Sequence, residues 1–161
     1  AMIQHVGPCY MKIGNPKMPV LYNEDVNFIL GKGIVIKEGH DVTLIGTGTV
    51  LSKAIAAAKL LEEAGVSVYL IDIHTIKPLD SDLILSAAIK TGRIVTVEEH
   101  FIAGGLGSAI AELCSREYPI KMKMIGIGDQ YASNGPYEEL IGKYGLQPDQ
   151  IKESVINFLN N

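Results

Sequence analysis

Residues 94–108 read IVTVEEHFIAGGLGS, and this stretch decides the fold class. Its first four residues are apolar or β-branched and predict a buried strand over 94–97. The glycines that follow predict a tight connection, and the apolar spacing beyond them predicts a helix over 106–117. A continuous apolar strand that leads directly into a helix is typical of a parallel sheet with helices on both faces.

The same strand-then-helix unit recurs along the chain. Further strands are predicted over 34–36, 42–45, 66–73 and 122–127, and further helices over 52–64, 80–91, 137–144 and 148–159. Asp80 is a predicted N-cap, while Gly65 and Gly92 are predicted helix ends. The alternation predicts an α/β fold: a three-layer α/β/α sandwich around a five-stranded, mostly parallel sheet that allows one antiparallel edge strand.

The first thirty residues differ from the rest because prolines and glycines interrupt them and no helical period is present. A short strand is predicted over 10–13, and the remainder is predicted to be extended. We therefore expect residues 1–30 to form an arm that ends a preceding domain, and residues 31–161 to form the domain itself.

Composition excludes several classes of protein. The 161 residues are 47% hydrophobic, which is enough for one buried core without a disulfide or a metal. Fourteen Lys and Arg against 18 Asp and Glu give a net charge of −4, which argues against binding to nucleic acid or to an anionic membrane surface. No apolar run is long enough to span a bilayer, and no secretion signal is evident. The two cysteines are expected to be reduced thiols in a cytoplasmic protein.

The residues after the strand at 94–97 carry the most chemistry. Glu98, Glu99 and His100 leave the carboxyl end of a strand, where open α/β sheets bind their ligands, and Gly104 and Gly105 allow close approach of the backbone. A histidine beside carboxylates suits acid–base chemistry or a hydrogen-bonding centre. The alternative, a satisfied polar cluster at a strand end or a subunit contact, is favoured.

Other loops offer weaker candidates. The Gly46–Thr49 turn precedes a helix and could bind phosphate, but Leu51 stands where a dinucleotide fingerprint needs its third glycine, so a tight turn is favoured. Lys77 could contact an anion at the rim of the sheet, although a polar loop closed by Pro78 is the favoured interpretation. Lys12 and Lys17 could meet a phosphate or simply be solvated.

The loops taken together resemble the C-terminal region of transketolase-type thiamine-diphosphate enzymes, which include transketolase, 1-deoxyxylulose-5-phosphate synthase and the β subunits of 2-oxo-acid dehydrogenases. The resemblance covers nearly the whole chain. It is carried by ordered motifs: Gly7-Pro8-x-Tyr10, Gly14-x-Pro16-Lys17-x-Pro19, Glu38-Gly39-x-Asp41-Val42-Thr43-Leu44-Ile45, Asp72-x-x-Thr75-Ile76-Lys77-Pro78-Leu79-Asp80, Glu98-Glu99-His100 with Gly104-Gly105-Leu106-Gly107-Ser108, Gly126-x-x-Asp129, and Ser133-x-Gly135-Pro136.

The resemblance implies the C-terminal domain of a transketolase, an enzyme that transfers two-carbon ketol units between sugar phosphates of the pentose phosphate class. It implies that thiamine diphosphate and Mg²⁺ or Ca²⁺ are bound in the assembled enzyme by other domains, and that this chain alone is inactive and supplies no catalytic residue, cofactor site or metal ligand. The implied partners are the N-terminal transketolase domains or section, in an assembled homodimer.

The resemblance also suggests residue roles. Lys12, Lys17, Lys77 and His100 are candidates for the substrate entrance, and the strand-end loop of Glu98, Glu99, His100, Gly104 and Gly105 resembles an interface element. The family often has arginine at positions 12 and 15. Lys12 keeps the charge without the planar fork, whereas Asn15 loses the charge.

Two rival interpretations remain open. One is a stand-alone nucleotide- or flavin-binding module that uses the Gly46–Thr49 turn. The other is a non-catalytic interaction domain.

Overall fold

A computed structural model of the chain describes residues 1–14, 17–22 and 26–161. Its strands are β1 (Ile34–Lys37), β2 (Val42–Gly46), β3 (Val68–Asp72), β4 (Arg93–Phe101) and β5 (Lys121–Ile127). Its helices are α1 (Leu51–Glu63), α2 (Ser81–Thr91), α3 (Leu106–Glu117), α4 (Tyr137–Lys143) and α5 (Pro148–Asn160), with short 3₁₀ turns at Met2–Gln4 and Gly48–Val50. None of these helices has the length and apolar character needed to cross a membrane.

The five strands form one sheet in the order β1-β3-β2-β4-β5. β1 runs antiparallel to β3, and the other three neighbouring pairs are parallel. The predicted fold class is confirmed, including the antiparallel edge strand. After β3 the chain crosses over β2 to form β4, so the direction of strand addition reverses at the β2–β4 pair. This pair is the topological switch point, the usual ligand position in open α/β sheets.

Two apolar layers cover the sheet. One includes Leu44 and Val95 and contacts α1, α4 and α5, and the other includes Ile45 and Ile94 and contacts α2 and α3. Neighbouring residues of one strand therefore enter different layers, because side chains alternate between the faces of a sheet. This double burial explains why the central strands are apolar throughout rather than at alternate positions.

The helix ends follow the predicted signals closely. Asp80 caps α2 by accepting a hydrogen bond from the Leu83 N–H, and Gly92 ends the same helix with a φ of 66°. A φ in this left-handed region favours glycine, since a Cβ would be strained there. Both cysteines are free thiols; Cys9 is exposed and Cys114 is buried.

Two sequence-based expectations need correction. The strand predicted over 10–13 is absent from the described residues; Tyr10 and Ile13 are 92% and 77% exposed, and no neighbouring strand pairs with them. β4 is longer than predicted and contains Glu98, Glu99 and His100. It continues because Phe101 pairs with Ile127 of β5 after an irregularity in the register, a contact that local sequence does not reveal.

Candidate functional site

The carboxyl edge of the sheet, defined here as the ends of β2, β3 and β4 with the segments that follow them, carries the candidate residues. Glu98 is its most buried acid, with 1% exposure. Its Oε2 accepts a hydrogen bond from the Leu106 N–H and its Oε1 accepts one from the Gly107 N–H, both at 2.8 Å. These N–H groups open α3 and have no partner within the helix. Glu98 therefore fills the anion position at the N-terminus of α3.

The loop between β4 and α3 folds closely around this carboxylate. A Cβ added to Gly105 would overlap Glu98 Oε2 and lie 2.8 Å from the Phe101 carbonyl oxygen. The Ser108 hydroxyl donates to the Ile102 carbonyl at 2.7 Å and accepts from the Gly104 N–H at 2.9 Å. The loop has the contacts of a satisfied polar cluster.

The Glu99 side chain lies at the switch point between β2 and β4. Its Oε2 accepts a hydrogen bond from the Thr49 hydroxyl and another from the Tyr137 hydroxyl, at 3.1 Å in the second case. Burial raises the pKa of Tyr137, and the nearby Glu99 carboxylate raises it further. Glu99 thus joins the end of β4 to the turn before α1 and to α4.

The Gly46–Thr49 turn is closed by contacts of its own chain. Besides the Thr49 contact, the Thr47 hydroxyl donates to the Ile73 carbonyl at 2.8 Å and ties the turn to the end of β3. A phosphate placed before α1 would face the Glu99 carboxylate. This arrangement is that of a tight strand-to-helix turn, and it disfavours the nucleotide-binding alternative.

Lys12 contacts the main chain of β4 at Glu99, the residue before His100. The His100 side chain is 53% exposed, and its Nδ1 lies 2.8 Å from the Phe101 carbonyl oxygen and 4.0 Å from Glu98 Oε2. Lys12 Nζ donates to the Glu99 carbonyl at 2.9 Å, so the N-terminal arm reaches this edge. The charge of Lys12 is not paired with a carboxylate among the described residues.

The other two candidate lysines are not part of this pair. Lys77 follows β3, and β2 lies between β3 and β4, so about 10 Å separates the two strand ends. Lys17 and Lys77 are exposed and make no side-chain hydrogen bond within the described part of the chain. Asn15, the uncharged position of the arm, lies outside the described residues.

A second polar cluster at this edge joins Asp72 to the arm, a pairing that sequence reasoning did not predict. Asp72 ends β3 with 3% exposure, and its Oδ2 accepts a hydrogen bond of 2.6 Å from the Tyr22 hydroxyl of the arm. The Phe28 ring packs edge-on between Tyr22 and His74, with ring centroids 5.6 and 4.9 Å apart. Burial raises the pKa of Asp72. The signal available in the sequence was an acidic residue at the end of an apolar strand.

The residues of this edge do not fit a diphosphate and its metal. The N-terminus of α3 is filled by Glu98, and the turn before α1 faces Glu99. Within ranges 1–14, 17–22 and 26–161, no three His, Cys, Asp or Glu side chains are grouped so that they could hold a metal ion. An anionic cofactor would therefore meet carboxylates at both helix starts.

Comparison with known proteins gives consistent matches. The family described as "Transketolase, C-terminal domain" matches residues 31–151. The chain is 36% identical over 159 residues to one subunit of the apulose-4-phosphate transketolase of Phocaeicola vulgatus, covering 98% of this chain and 51% of that protein. It is 34% identical over 156 residues to a putative transketolase C-terminal section of Methanocaldococcus jannaschii, covering 95% and 48%.

A solved structure gives the same picture. The structure titled "Split gene transketolase, inactive beta4 tetramer" superposes with a TM-score of 0.85 at 39% identity and covers 89% of this chain and 47% of its own. The chain thus spans about half the length of these relatives.

Proposed function

Since the chain belongs to the transketolase C-terminal domain family, we propose that it is the C-terminal part of a transketolase that transfers two-carbon ketol units between sugar phosphates. Its role is to supply scaffold and subunit contacts, and it is inactive without the other domains.

One observation carries this proposal. Open α/β sheets bind ligands at the carboxyl edge, near the switch point. In this chain Glu98 and Glu99 fill that position and are held by hydrogen bonds from the chain itself. These contacts support a carboxyl edge that stabilises the domain, and with it a placement of the reacting groups and of the site for thiamine diphosphate with Mg²⁺ or Ca²⁺ in partner domains.

The arm supports a contact with such domains. Residues 1–30 would end a preceding pyrimidine-binding domain, and several large apolar side chains in this segment are strongly exposed: Ile3, Val6, Tyr10, Ile13 and Val20. Apolar side chains grouped on an exposed segment are typical of a surface that a partner covers. The proposed assembly is a cytoplasmic homodimer of the complete enzyme, built with N-terminal transketolase domains or a separate N-terminal section.

Lys12 and His100 are the proposed contacts at the substrate entrance. Lys12 uses one of its N–H groups on the Glu99 carbonyl, which leaves its other donors and its charge for an anionic group. The half-exposed His100 follows Glu99 on β4. A sugar phosphate fits Lys12 through charge, and His100 borders the same position. Lys17 and Lys77 would contribute only at longer range.

A chimera tests the proposed activity. Residues 1–161 would replace the matched half of the Phocaeicola vulgatus protein, and ketol transfer from apulose 4-phosphate would be assayed with the rest of that enzyme. We expect activity well above that of the same protein with the half deleted. A chimera that assembles and binds thiamine diphosphate but transfers no ketol unit would contradict the proposal.

Calorimetry tests the placement of the cofactor. Thiamine diphosphate with Mg²⁺ would be titrated into the purified chain, with NAD⁺ and flavin mononucleotide in parallel. We expect no saturable heat from any of the three. Saturable binding of thiamine diphosphate would refute the placement of its site in partner domains, and binding of a nucleotide would favour the rival module.

A further inference from the structure

The described parts of the N-terminal arm contact the carboxyl edge of the sheet at separate points. Just after the arm, and before β1, the Gly33 N–H donates to Asp80 Oδ2 at 3.0 Å. At the end of β3, Tyr22 bonds to Asp72, and at the end of β4, Lys12 bonds to the Glu99 carbonyl. These two contacts lie on either side of β2 in the order of the sheet.

The Tyr22–Asp72 contact differs from the others in its burial. The Lys12 contact is exposed, whereas Asp72 is 3% exposed and bonds to a half-buried tyrosine. Among the described residues, Asp72 Oδ1 is buried without a hydrogen-bond partner. The Tyr22 hydroxyl is therefore the described group that compensates the burial of this carboxyl, and separation of the two would leave it without a donor.

Aromatic packing fixes the direction of the tyrosine. Phe28 contacts the Tyr22 ring on one side and the His74 ring on the other, both edge-to-face. Such pairs hold rings in defined geometry. The Tyr22 hydroxyl thus bonds to Asp72 while Phe28, in the same arm, packs against His74 in the segment that follows β3.

We propose that Asp72 is a positioning residue for the N-terminal arm: through Tyr22 it fixes the part of the arm that holds Tyr22 and Phe28 at the carboxyl edge of the sheet. Asp72 acts on the arm rather than on substrate. The proposal concerns attachment within the chain, so its test needs no enzymatic activity and is independent of the proposed function.

Chymotrypsin offers a test with an internal reference, because it cuts after both tyrosine and phenylalanine. In Tyr22→Phe the cleavage site survives while the hydroxyl is lost. Initial rates of cleavage after residue 22, after Phe28 and after Tyr10 would be followed by mass spectrometry on the intact chain. Tyr10→Phe is the matched control, since Tyr10 is 92% exposed and lies in the same arm.

In Tyr22→Phe we expect cleavage after residue 22 and after Phe28 to accelerate about tenfold, because loss of a hydrogen bond to a buried carboxyl raises the population of detached arm. Cleavage after Tyr10 should not change, and the melting temperature should fall by no more than the roughly 3–6 °C that a tenfold weaker attachment accounts for. A residue that only stabilised the core would accelerate cleavage at buried sites of the sandwich as well, such as Tyr69. Acceleration no larger than the one Tyr10→Phe causes at its own site would overturn the proposal.

Asp72→Leu removes the acceptor of the same hydrogen bond, because leucine has a similar size and cannot accept one. We expect the same pattern of arm-specific cleavage. A folded Asp72→Leu chain with wild-type rates after Tyr22 and Phe28 would also overturn the proposal. If this variant does not fold, Tyr22→Phe alone decides.

Discussion

Gly105→Ala should destabilise the domain through the Glu98 carboxylate. The new methyl group would overlap Glu98 Oε2 and crowd the Phe101 carbonyl oxygen at 2.8 Å. Glu98 is 1% exposed and has no free space toward solvent, so it must move away from the start of α3. The hydrogen bonds from Leu106 and Gly107 then lengthen or break.

The size of the effect follows from these two bonds. Each joins a main-chain N–H to a buried charged oxygen at 2.8 Å, and a hydrogen bond to a charged group contributes about 1.5–3 kcal/mol. Partial loss of both gives an expected decrease of about 2–4 kcal/mol in the free energy of unfolding. For a domain of this size that corresponds to a fall of roughly 4–16 °C in melting temperature.

Urea unfolding followed by circular dichroism measures this change, with Gly128→Ala as control. Gly128 has no atom within 4 Å of an added Cβ and no positive φ, so its substitution should change stability by less than about 0.5 kcal/mol. If the free energy of unfolding of Gly105→Ala lies within about 0.5 kcal/mol of the wild-type value, the loop relaxes without loss of the carboxylate contacts and the reasoning is wrong.

Three further outcomes are expected. Gly39→Ala should cost more than about 3 kcal/mol in urea unfolding, because its Cβ would lie inside the main chain of Val68; a midpoint near wild type would contradict this. Burial opposes ionisation of Asp80, but main-chain N–H groups and Lys32 hold its pKa below 3.8. The stabilisation by the ionised Asp80 carboxylate is therefore present at pH 7 and is lost as the pH falls through that lowered pKa. The free energy of unfolding of Asp80→Ala should lie about 1–2 kcal/mol below that of wild type at pH 7. This difference should shrink below pH 3.8 when unfolding is followed across a pH series. In the active chimera, Lys12→Ala should raise the KM for a phosphorylated sugar about tenfold while Lys12→Arg should not; equal KM values would show that Lys12 is only structural.

Local signals were sufficient for the elements themselves. Residues 106–117 form α3 as predicted, since an apolar period and preceding glycines define a helix without distant contacts. The Asp80 cap and the Gly92 end depend on residues of the same turn, and both were predicted.

The contacts of the candidate site depend on residues far apart in sequence. Glu99 meets Tyr137 across 38 positions, and Tyr22 meets Asp72 across 50. No periodicity encodes such pairs, because they form only after the sheet order has brought the segments together. For the same reason the continuation of β4 through His100 could not be predicted, since it requires pairing with β5.

The carboxylate of Glu98 has a consequence for how the domain is inherited. A helix start whose free N–H groups bond to a carboxylate of the same chain needs no anion from a ligand at that position. Joining this domain to others, or separating it from them, therefore leaves no open anion site at the start of α3. On this basis its melting temperature should not change when thiamine diphosphate is added.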